Sequence, residues 1–291
     1  MFQTGIRARR QFPAGDHDAL SSSGTEGSRS LTASREAPSA KVPHAPTLSV
    51  VIPVYNERGT IEELLWRVQQ VGLEKEVIVV DDASTDGTRE LLQQIADGIA
   101  SGSESTVLPK TGRPLPVGNM AICLQPTNRG KGAALRRGFR LARGRIVIVQ
   151  DADLEYNPQE YFRLIDPIER DLADVVYGSR FLGGPHRVLL YRHSLANTIL
   201  THLSNIFTDL NLTDVWTCYK VFRREVLQGL TLREERFGFE PEVTAKIARM
   251  GCRVYEVPIS YAGRTYEEGK KIRLRDAVSG LVCVFRYGIF G

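Results

Sequence analysis

The sequence is poor in cysteine and histidine, and neither residue type is spaced as in a metal site or a disulfide framework. The four cysteines, Cys123, Cys218, Cys252 and Cys283, are scattered along the chain. The five histidines show no metal-ligand pattern either. This usage argues against a structural zinc site and favours reduced cysteines in a cytoplasmic protein.

A long hydrophobic run is also missing. No stretch approaches the roughly 20 apolar residues that a membrane-spanning helix needs. The longest candidate, at 278–290, is interrupted by Arg286 and Gly288. We expect this segment either to lie on a membrane surface or to pack as a last core helix. Residues 1–10 are not followed by an apolar core, so we expect no secretory signal.

Neither positive nor negative charge dominates the sequence. The net charge is +4, which suits anionic ligands or a membrane surface but is too weak to indicate a nucleic-acid partner. Residues 1–46 are rich in Ser, Ala, Gly, Pro and Arg, which predicts a disordered tail. The remaining residues, 47–291, are expected to form a single domain.

Short apolar runs alternate with helical patterns through the first part of this domain. Strands are predicted at 48–54, 77–80, 121–124, 146–150 and 174–177, with helices from residue 60, at 88–96, up to 142 and at 159–170. The helix from residue 60 would be capped by Thr60. Such alternation predicts an α/β fold, a Rossmann-like and mostly parallel sheet flanked by helices. Residues 98–118 are rich in Gly, Ser and Pro and are expected to form a surface insertion.

The second half of the domain is less regular. We predict a long amphipathic helix at 191–210, a short strand pair around 219–222, a helix at 240–250 and a strand at 253–259. A polar loop at 263–271 and a last helix at about 273–290 follow.

Three predicted strands end in acids or amides: Asn56-Glu57, Asp81-Asp82 and Asp151-Ala152-Asp153. In a parallel sheet such ends line one crevice, where ligands bind. Paired hard oxygen ligands suit Mg²⁺ or Mn²⁺, which usually hold a substrate's phosphates. An isolated Asp-x-Asp is more often a pair of capping acids, but three polar strand ends together predict a nucleotide site. The Gly-x-Gly-x-x-Gly turn of dinucleotide-binding folds is missing after the first strand.

Four motifs make the prediction specific. Val-Ile-Pro-Val-Tyr-Asn-Glu at 51–57, the segment at 80–88, Asn-Arg-Gly-Lys-Gly at 128–132 and Gln-Asp-Ala-Asp at 150–153 resemble family 2 glycosyltransferases of the GT-A fold. Later segments, at 177–181, 214–223, 239–243, 256–261 and 264–270, are similar to dolichyl- and polyprenyl-phosphate hexose (mannose or glucose) synthases.

This resemblance implies an activity and its partners. We expect an inverting, metal-dependent transfer of a hexose from a UDP- or GDP-linked donor to a dolichyl or undecaprenyl phosphate. The enzyme would contact the cytoplasmic face of a membrane peripherally, and a membrane partner subunit is compatible with this placement. Mg²⁺ or Mn²⁺ would be the cofactor, acting as Lewis acid on the leaving diphosphate.

The chain departs from the pattern of these synthases at two places. Glu267 and Gly269 stand where the closing motif carries Gly and Ser, and Glu155 and Tyr156 stand at positions of Gln or His. These departures concern the identity of the sugar and lipid more than the chemistry.

The resemblance assigns the donor to the half at about 47–155. Asp153 is the first choice for metal ligand, with Asp151 and Glu155 in support. Lys131, at a Gly-flanked helix start, would favour phosphate. The expected nucleotide-sugar contacts are Pro53, Tyr55, Glu57, Asp81, Asp82, Arg129, Lys131, Asp151 and Ala152. Simpler interpretations also stand: Tyr55 would be plain packing, and Arg129 and Lys131 would be solvated.

The acceptor is assigned to the half at about 156–277. A lipid phosphate is already an anion and needs no general base, so cations must hold it. Arg180, Arg192, Arg264 and Lys270 are candidates, with Arg264 and Lys270 favoured by motif position. Arg192 is equally well explained as a helix-surface cation. The expected catalytic set is Asp151, Asp153, Arg264, Lys270 and Glu242.

Two alternative functions stay open. A sugar hydroxyl acceptor would require a carboxylate base, and Glu240 and Glu242 lie where many family 2 enzymes carry that acid. Either acid would otherwise be an ordinary first-turn stabiliser. A second alternative is a nucleotide-sugar-binding protein without turnover.

Overall fold

The computed structural model describes residues 46–183, 185–188, 191–264 and 274–290, with side chains in the last range from residue 278 onwards. The predicted tail at 1–46 falls outside the described residues except for Pro46. Lys270, together with most of the predicted loop at 263–271, also falls outside them.

The strands and helices follow the predicted order. The strands are β1 (Leu48–Val54), β2 (Lys75–Asp81), β3 (Ser105–Val107), β4 (Pro114–Pro116), β5 (Met120–Leu124), β6 (Ile146–Val149), β7 (Val175–Ser179), β8 (Lys220–Arg223) and β9 (Val254–Pro258). The helices are α1 (Ile61–Gln69), α2 (Thr88–Ala100), α3 (Lys131–Leu141), α4 (Tyr161–Glu169), α5 (Tyr191–Thr208), α6 (Arg224–Gln228), α7 (Phe239–Arg249) and α8 (Leu274–Ile289).

Seven strands form one sheet in the order β5-β2-β1-β6-β8-β7-β9. Every residue of β2 is buried and β1 is buried at all but one position, because helices cover both faces of the sheet. Strand β8 pairs antiparallel with β6 and with β7, and the other pairings are parallel. The predicted mostly parallel sheet flanked by helices is confirmed.

This topology assembles one edge of the sheet. Six strands run in the same direction, so the residues that follow β1, β2, β5, β6, β7 and β9 all lie at their carboxyl ends. The residues that precede the reversed strand β8 reach the same edge. Every predicted site residue that follows a strand of this sheet is therefore brought to one crevice.

One local prediction was wrong. The strand pair expected around 219–222 is the single strand β8, which pairs with β6 and β7. The insertion expected at 98–118 does lie mostly on the surface, and it has structure of its own: α2 extends into it and β3 pairs with β4. Leu108, Leu115 and Val117 are fully buried there, which gives the insertion apolar anchors on the domain.

The role of Thr60 at the start of α1 also differs from the predicted one. Thr60 occupies the cap position, but its side chain makes no capping bond to the helix. Its hydroxyl donates instead to the Glu57 carboxylate at 2.9 Å and to the Ala152 carbonyl at 2.8 Å. Thr60 therefore joins the ends of β1 and β6.

Helix α8 packs on α5 and α7. Cys283, Val284 and Tyr287 are buried in this contact, and the rings of Phe207 and Phe285 meet edge to face with centroids 5.3 Å apart. In the part of the chain that the structure describes, no helix is long and apolar enough to cross a bilayer.

Both helices expose an apolar stripe. Leu195, Ile199 and Ile206 follow one another along α5 at helical spacing, and α8 repeats this with Val278, Val282, Phe285 and Ile289. These seven residues are called the α5–α8 face below.

Candidate active site

Four charged side chains meet where β1, β6 and β9 end. The Arg264 guanidinium lies between three carboxylates, with its Nη2 3.2 Å from Asp153, its Nη1 3.2 Å from Glu57 and its Nε 3.7 Å from Glu155. Asp151 lies two residues before Asp153 on the same loop. Three of the predicted site acids and one predicted acceptor cation are thus brought together.

The electrostatics of this cluster favour an additional cation. Burial, together with the neighbouring charges of Asp151 and Glu155, raises the pKa of Asp153 to about 8 against the opposing charge of Arg264. Carboxylates held so close repel one another unless positive charge lies between them. A titratable group perturbed in this way at a cleft indicates a functional site.

Glu155 is fixed at both oxygens by the segment that follows β9. The Tyr261 hydroxyl donates to its Oε2 at 2.7 Å, and the backbone N–H of Arg264 donates to its Oε1 at 2.7 Å. The side chain is therefore held beside Asp153 in one orientation.

Lys131 lies on the opposite side of the acid pair. Its Nζ is 2.9 Å from Asp151 and 3.3 Å from Glu240, and these charges raise its pKa despite the opposing effect of burial. Lys131 is thus not a solvated surface cation. The second oxygen of Glu240, Oε2, is buried and accepts no hydrogen bond within the described ranges.

Asp82 organises the glycine-flanked turn before α3. Its carboxylate accepts the N–H groups of Arg129 at 2.8 Å and Gly130 at 2.6 Å, and the Gln125 amide at 2.8 Å. Gly130 adopts φ +96°, and a Cβ there would come within 2.5 Å of the Glu235 carbonyl oxygen. Asp82 therefore holds this turn at the sheet edge.

The other residues predicted to contact the nucleotide sugar differ in their burial and in their partners. Asp81 is fully buried and pairs with Arg89 at 2.8 Å. The Arg129 guanidinium pairs with Glu235. Pro53 lies within β1, Tyr55 is 41% exposed beyond its end, and Ala152 is buried between the two aspartates.

On the acceptor side, Arg180 follows β7 and makes a bidentate pair with Asp214, at 2.6 and 2.8 Å. Its guanidinium also lies 5.0 Å from the ring centroid of Tyr261. Arg192 is exposed in the first turn of α5. The structure thus places Arg180 beside Tyr261, on the segment that follows β9, whereas Arg192 lies at the start of α5.

Glu242 is not brought to the acid cluster, so the geometry does not support the catalytic role predicted for it. Its side chain is fully buried, and its two oxygens accept the N–H groups of Arg233 and Glu234, each at 2.7 Å. Lys246 also pairs with it. A carboxylate whose oxygens are all engaged with backbone and a cation anchors a loop; it does not take a proton from a substrate.

Two residues at this edge were missed as individual candidates. Tyr261 and Asp214 lie in segments that carry the family resemblance, but each acts through another side chain, Glu155 or Arg180. Sequence spacing gives no signal for such pairs, because they join positions 106 and 34 residues apart.

A cleft of about 430 Å³ adjoins the acid cluster. Glu155 and Tyr261 form part of its wall, and three basic side chains, Arg67, His186 and Arg187, also line it. An anionic group would find positive charge on this side of the acids.

Comparison with known proteins identifies the family. The profile of glycosyl transferase family 2 matches residues 49–231. The chain belongs to this family. It is a glycosyltransferase, as the motifs predicted.

Two curated relatives resemble most of the chain. The undecaprenyl-phosphate mannosyltransferase of Micrococcus luteus is 33% identical over 76% of this chain and 85% of its own length. The polyprenol monophosphomannose synthase of Mycolicibacterium smegmatis is 31% identical over 74% of this chain and 77% of its own length.

A solved structure supports the fold alone. Glucosyl-3-phosphoglycerate synthase from Mycobacterium tuberculosis, crystallised with Mn²⁺, UDP and phosphoglyceric acid, is 21% identical and superposes with a TM-score of 0.61. The match covers 84% of this chain and 80% of that one.

Proposed function

We propose that this family 2 glycosyltransferase moves a hexose from a nucleoside diphosphate to a polyprenyl phosphate, with inversion at the anomeric carbon. One observation carries the proposal. Asp153 and Glu155, on the loop after β6, lie against Arg264, a cation on the segment that follows β9. Groups for a metal-bound diphosphate and for an anionic acceptor would thus lie side by side. Relatives named for undecaprenyl- or polyprenyl-phosphate substrates support the choice of acceptor.

The donor would be held by the half at about 47–155. Asp82 keeps the turn at Arg129 and Gly130 in place, so that backbone at the start of α3 faces the diphosphate. Pro53, Tyr55 and Glu57 would border the nucleotide. Lys131 orients Asp151, because the two form a partly buried ion pair.

The acid cluster fits a divalent cation that shares its coordination with the donor. Among the described residues, no three His, Cys, Asp or Glu side chains form a metal site by themselves. Mg²⁺ and Mn²⁺ accept few protein carboxylates together with phosphate oxygens. Asp153, Asp151 and Glu155 would hold the ion. When bound, it would neutralise charge on the leaving diphosphate.

The acceptor would bind in the half at about 156–277. Arg264 and Lys270, with Arg180 from β7, would hold its phosphate. A phosphate oxygen would attack the anomeric carbon as the bond from that carbon to the diphosphate oxygen breaks. The diphosphate leaves with the electron pair, and no proton is transferred because the nucleophile is already an anion. One direct displacement inverts the anomeric centre.

Transfer to a sugar hydroxyl is less well supported. That reaction needs a carboxylate free to accept a proton. The oxygens of Glu242 are fully engaged, and Glu240 is buried and pairs with Lys131. Neither acid is placed as a base for an incoming hydroxyl.

The direct test is transfer with a panel of UDP- and GDP-linked hexoses, a short polyprenyl phosphate, and Mg²⁺, Mn²⁺ or EDTA. We expect one donor to give a product that partitions into organic solvent and releases free sugar under mild acid. EDTA should abolish its formation. A water-soluble, acid-stable glycoside as the product would contradict the proposed acceptor.

The α5–α8 face would contact the lipid surface that carries this acceptor. Its apolar stripes are flanked by exposed cations, Arg192 and Arg286, which complement anionic lipid. The contact would be peripheral and on the cytoplasmic side of the membrane.

Replacing Ile199 and Val282 together by Ser should weaken binding to vesicles of anionic lipid about tenfold or more, since each side chain loses apolar area that enters the lipid. Co-sedimentation measures this. Val107→Ser, at another exposed apolar residue on β3, serves as the control and should bind as the wild type does. Equal binding by all three proteins would refute the assignment of this face.

A further inference from the structure

Tyr261 contacts both ends of the candidate site with one side chain. Its hydroxyl donates to Glu155 Oε2 at 2.7 Å, and its ring lies 5.0 Å from the Arg180 guanidinium. The ring also packs edge to face on Tyr156, with centroids 5.3 Å apart. Tyr261 is thus fixed on both sides and cannot turn away from Glu155 without losing these contacts.

Glu155, which accepts the hydrogen bond from this hydroxyl, needs a hydrogen-bond donor at each of its two oxygens. Glu155 carries a carboxylate, which, unlike an amide, offers only acceptor oxygens. Its Oε1 receives the Arg264 N–H, which leaves Oε2 to be satisfied by another group. The Tyr261 hydroxyl supplies this second donor.

We propose that Tyr261 is a positioning residue that orients Glu155 for the divalent cation and seats the Arg180 guanidinium through its ring. The inference rests on the proposed function, in which Glu155 is one of the metal-holding acids. Its two contacts are separable, because the hydroxyl serves the metal side and the ring serves the acceptor side.

The physical basis is the conformational entropy that a freely rotating carboxylate loses when it binds an ion. A carboxylate fixed by hydrogen bonds loses little freedom when it binds an ion, and removing such an outer partner typically weakens metal binding about 10- to 100-fold. The aromatic face next to Arg180 adds a separate cation–π attraction. Tyr261→Phe removes the first effect and keeps the second.

The test is Mn²⁺ binding to the protein, with and without saturating UDP or GDP, followed by electron paramagnetic resonance of unbound Mn²⁺. Tyr261→Phe should bind Mn²⁺ about tenfold more weakly than the wild type. The KM for the acceptor should stay unchanged, because the ring remains. Tyr261→Leu should weaken Mn²⁺ binding similarly and also raise the acceptor KM.

Tyr219→Phe is the matched control. Tyr219 is fully buried, packs on Tyr156 as Tyr261 does, with centroids 4.8 Å apart, and donates its hydroxyl hydrogen to Gln150 at 2.8 Å. It should lose as much thermal stability as Tyr261→Phe but bind Mn²⁺ normally. Equal Mn²⁺ affinity in the two variants would overturn the inference, since the hydroxyl of Tyr261 would then be only structural.

A double variant shows whether Tyr261 acts through Glu155. In the Glu155→Gln background, Tyr261→Phe should change Mn²⁺ affinity less than twofold; a full tenfold loss there would contradict the inference. Failure of the proposed function gives a different result: Asp153→Asn would then bind Mn²⁺ as tightly as the wild type.

Discussion

Asp153→Asn should lower the turnover number roughly 10³-fold or more, because about 4 kcal/mol of charge stabilisation at the leaving diphosphate depends on this carboxylate. The folded protein should survive the change. Burial raises the pKa of Asp153, and so does repulsion from Asp151 and Glu155, so a neutral side chain at this position should not destabilise the free protein. The measurement is the rate of transfer at saturating donor and metal, together with the unfolding temperature.

Asp166→Asn provides the control for this substitution. Asp166 is an exposed aspartate on α4 that pairs only weakly with Arg170, at 3.4 Å. Its variant should keep wild-type turnover. If Asp153→Asn retained more than a tenth of the wild-type rate, Asp153 would not be the metal ligand.

Arg264→Gln should lower kcat/KM for the acceptor about 100-fold, because a bidentate charged contact to phosphate contributes about 3 kcal/mol. Donor affinity should change little. Mn²⁺ binding should not weaken, since the guanidinium lies 3.2 Å from Asp153 and competes with the ion for that carboxylate. Arg264→Lys should recover part of the loss, as the charge remains while the fork is lost.

Arg163→Gln is the corresponding control, because Arg163 is exposed on α4 and its guanidinium donates to the Pro258 carbonyl at 2.9 Å. Its acceptor kinetics should match those of the wild type. A parallel loss of donor binding in Arg264→Gln, without a specific effect on the acceptor, would rule out the phosphate role.

The sequence predicted the fold well because its strands are continuous apolar runs. The runs that became β1, β2 and β6 are buried on both faces, and a run of this kind has few other structures available to it. The crevice followed from the same pattern, since the carboxyl ends of parallel strands share an edge. The order of β8 between β6 and β7 could not be inferred, because no local signal specifies which strands a reversed strand joins.

The sequence predicted which residues form the site better than it predicted the contacts between them. Asp153 and Arg264 were both chosen from motifs, but nothing in the sequence places them 3.2 Å apart. For Glu242, the contacts do not support the role that its motif position predicted. Its motif position suggested chemistry, whereas the N–H groups of Arg233 and Glu234 engage its carboxylate. Such long-range pairings depend on tertiary packing.

The proposed phosphate acceptor is tested most directly by ³¹P nuclear magnetic resonance of the lipid before and after reaction with donor and Mn²⁺. The account predicts that the phosphate monoester signal is replaced by that of a phosphodiester that carries the hexose in the inverted configuration. An unchanged monoester signal accompanied by sugar transfer to a hydroxyl group would contradict it.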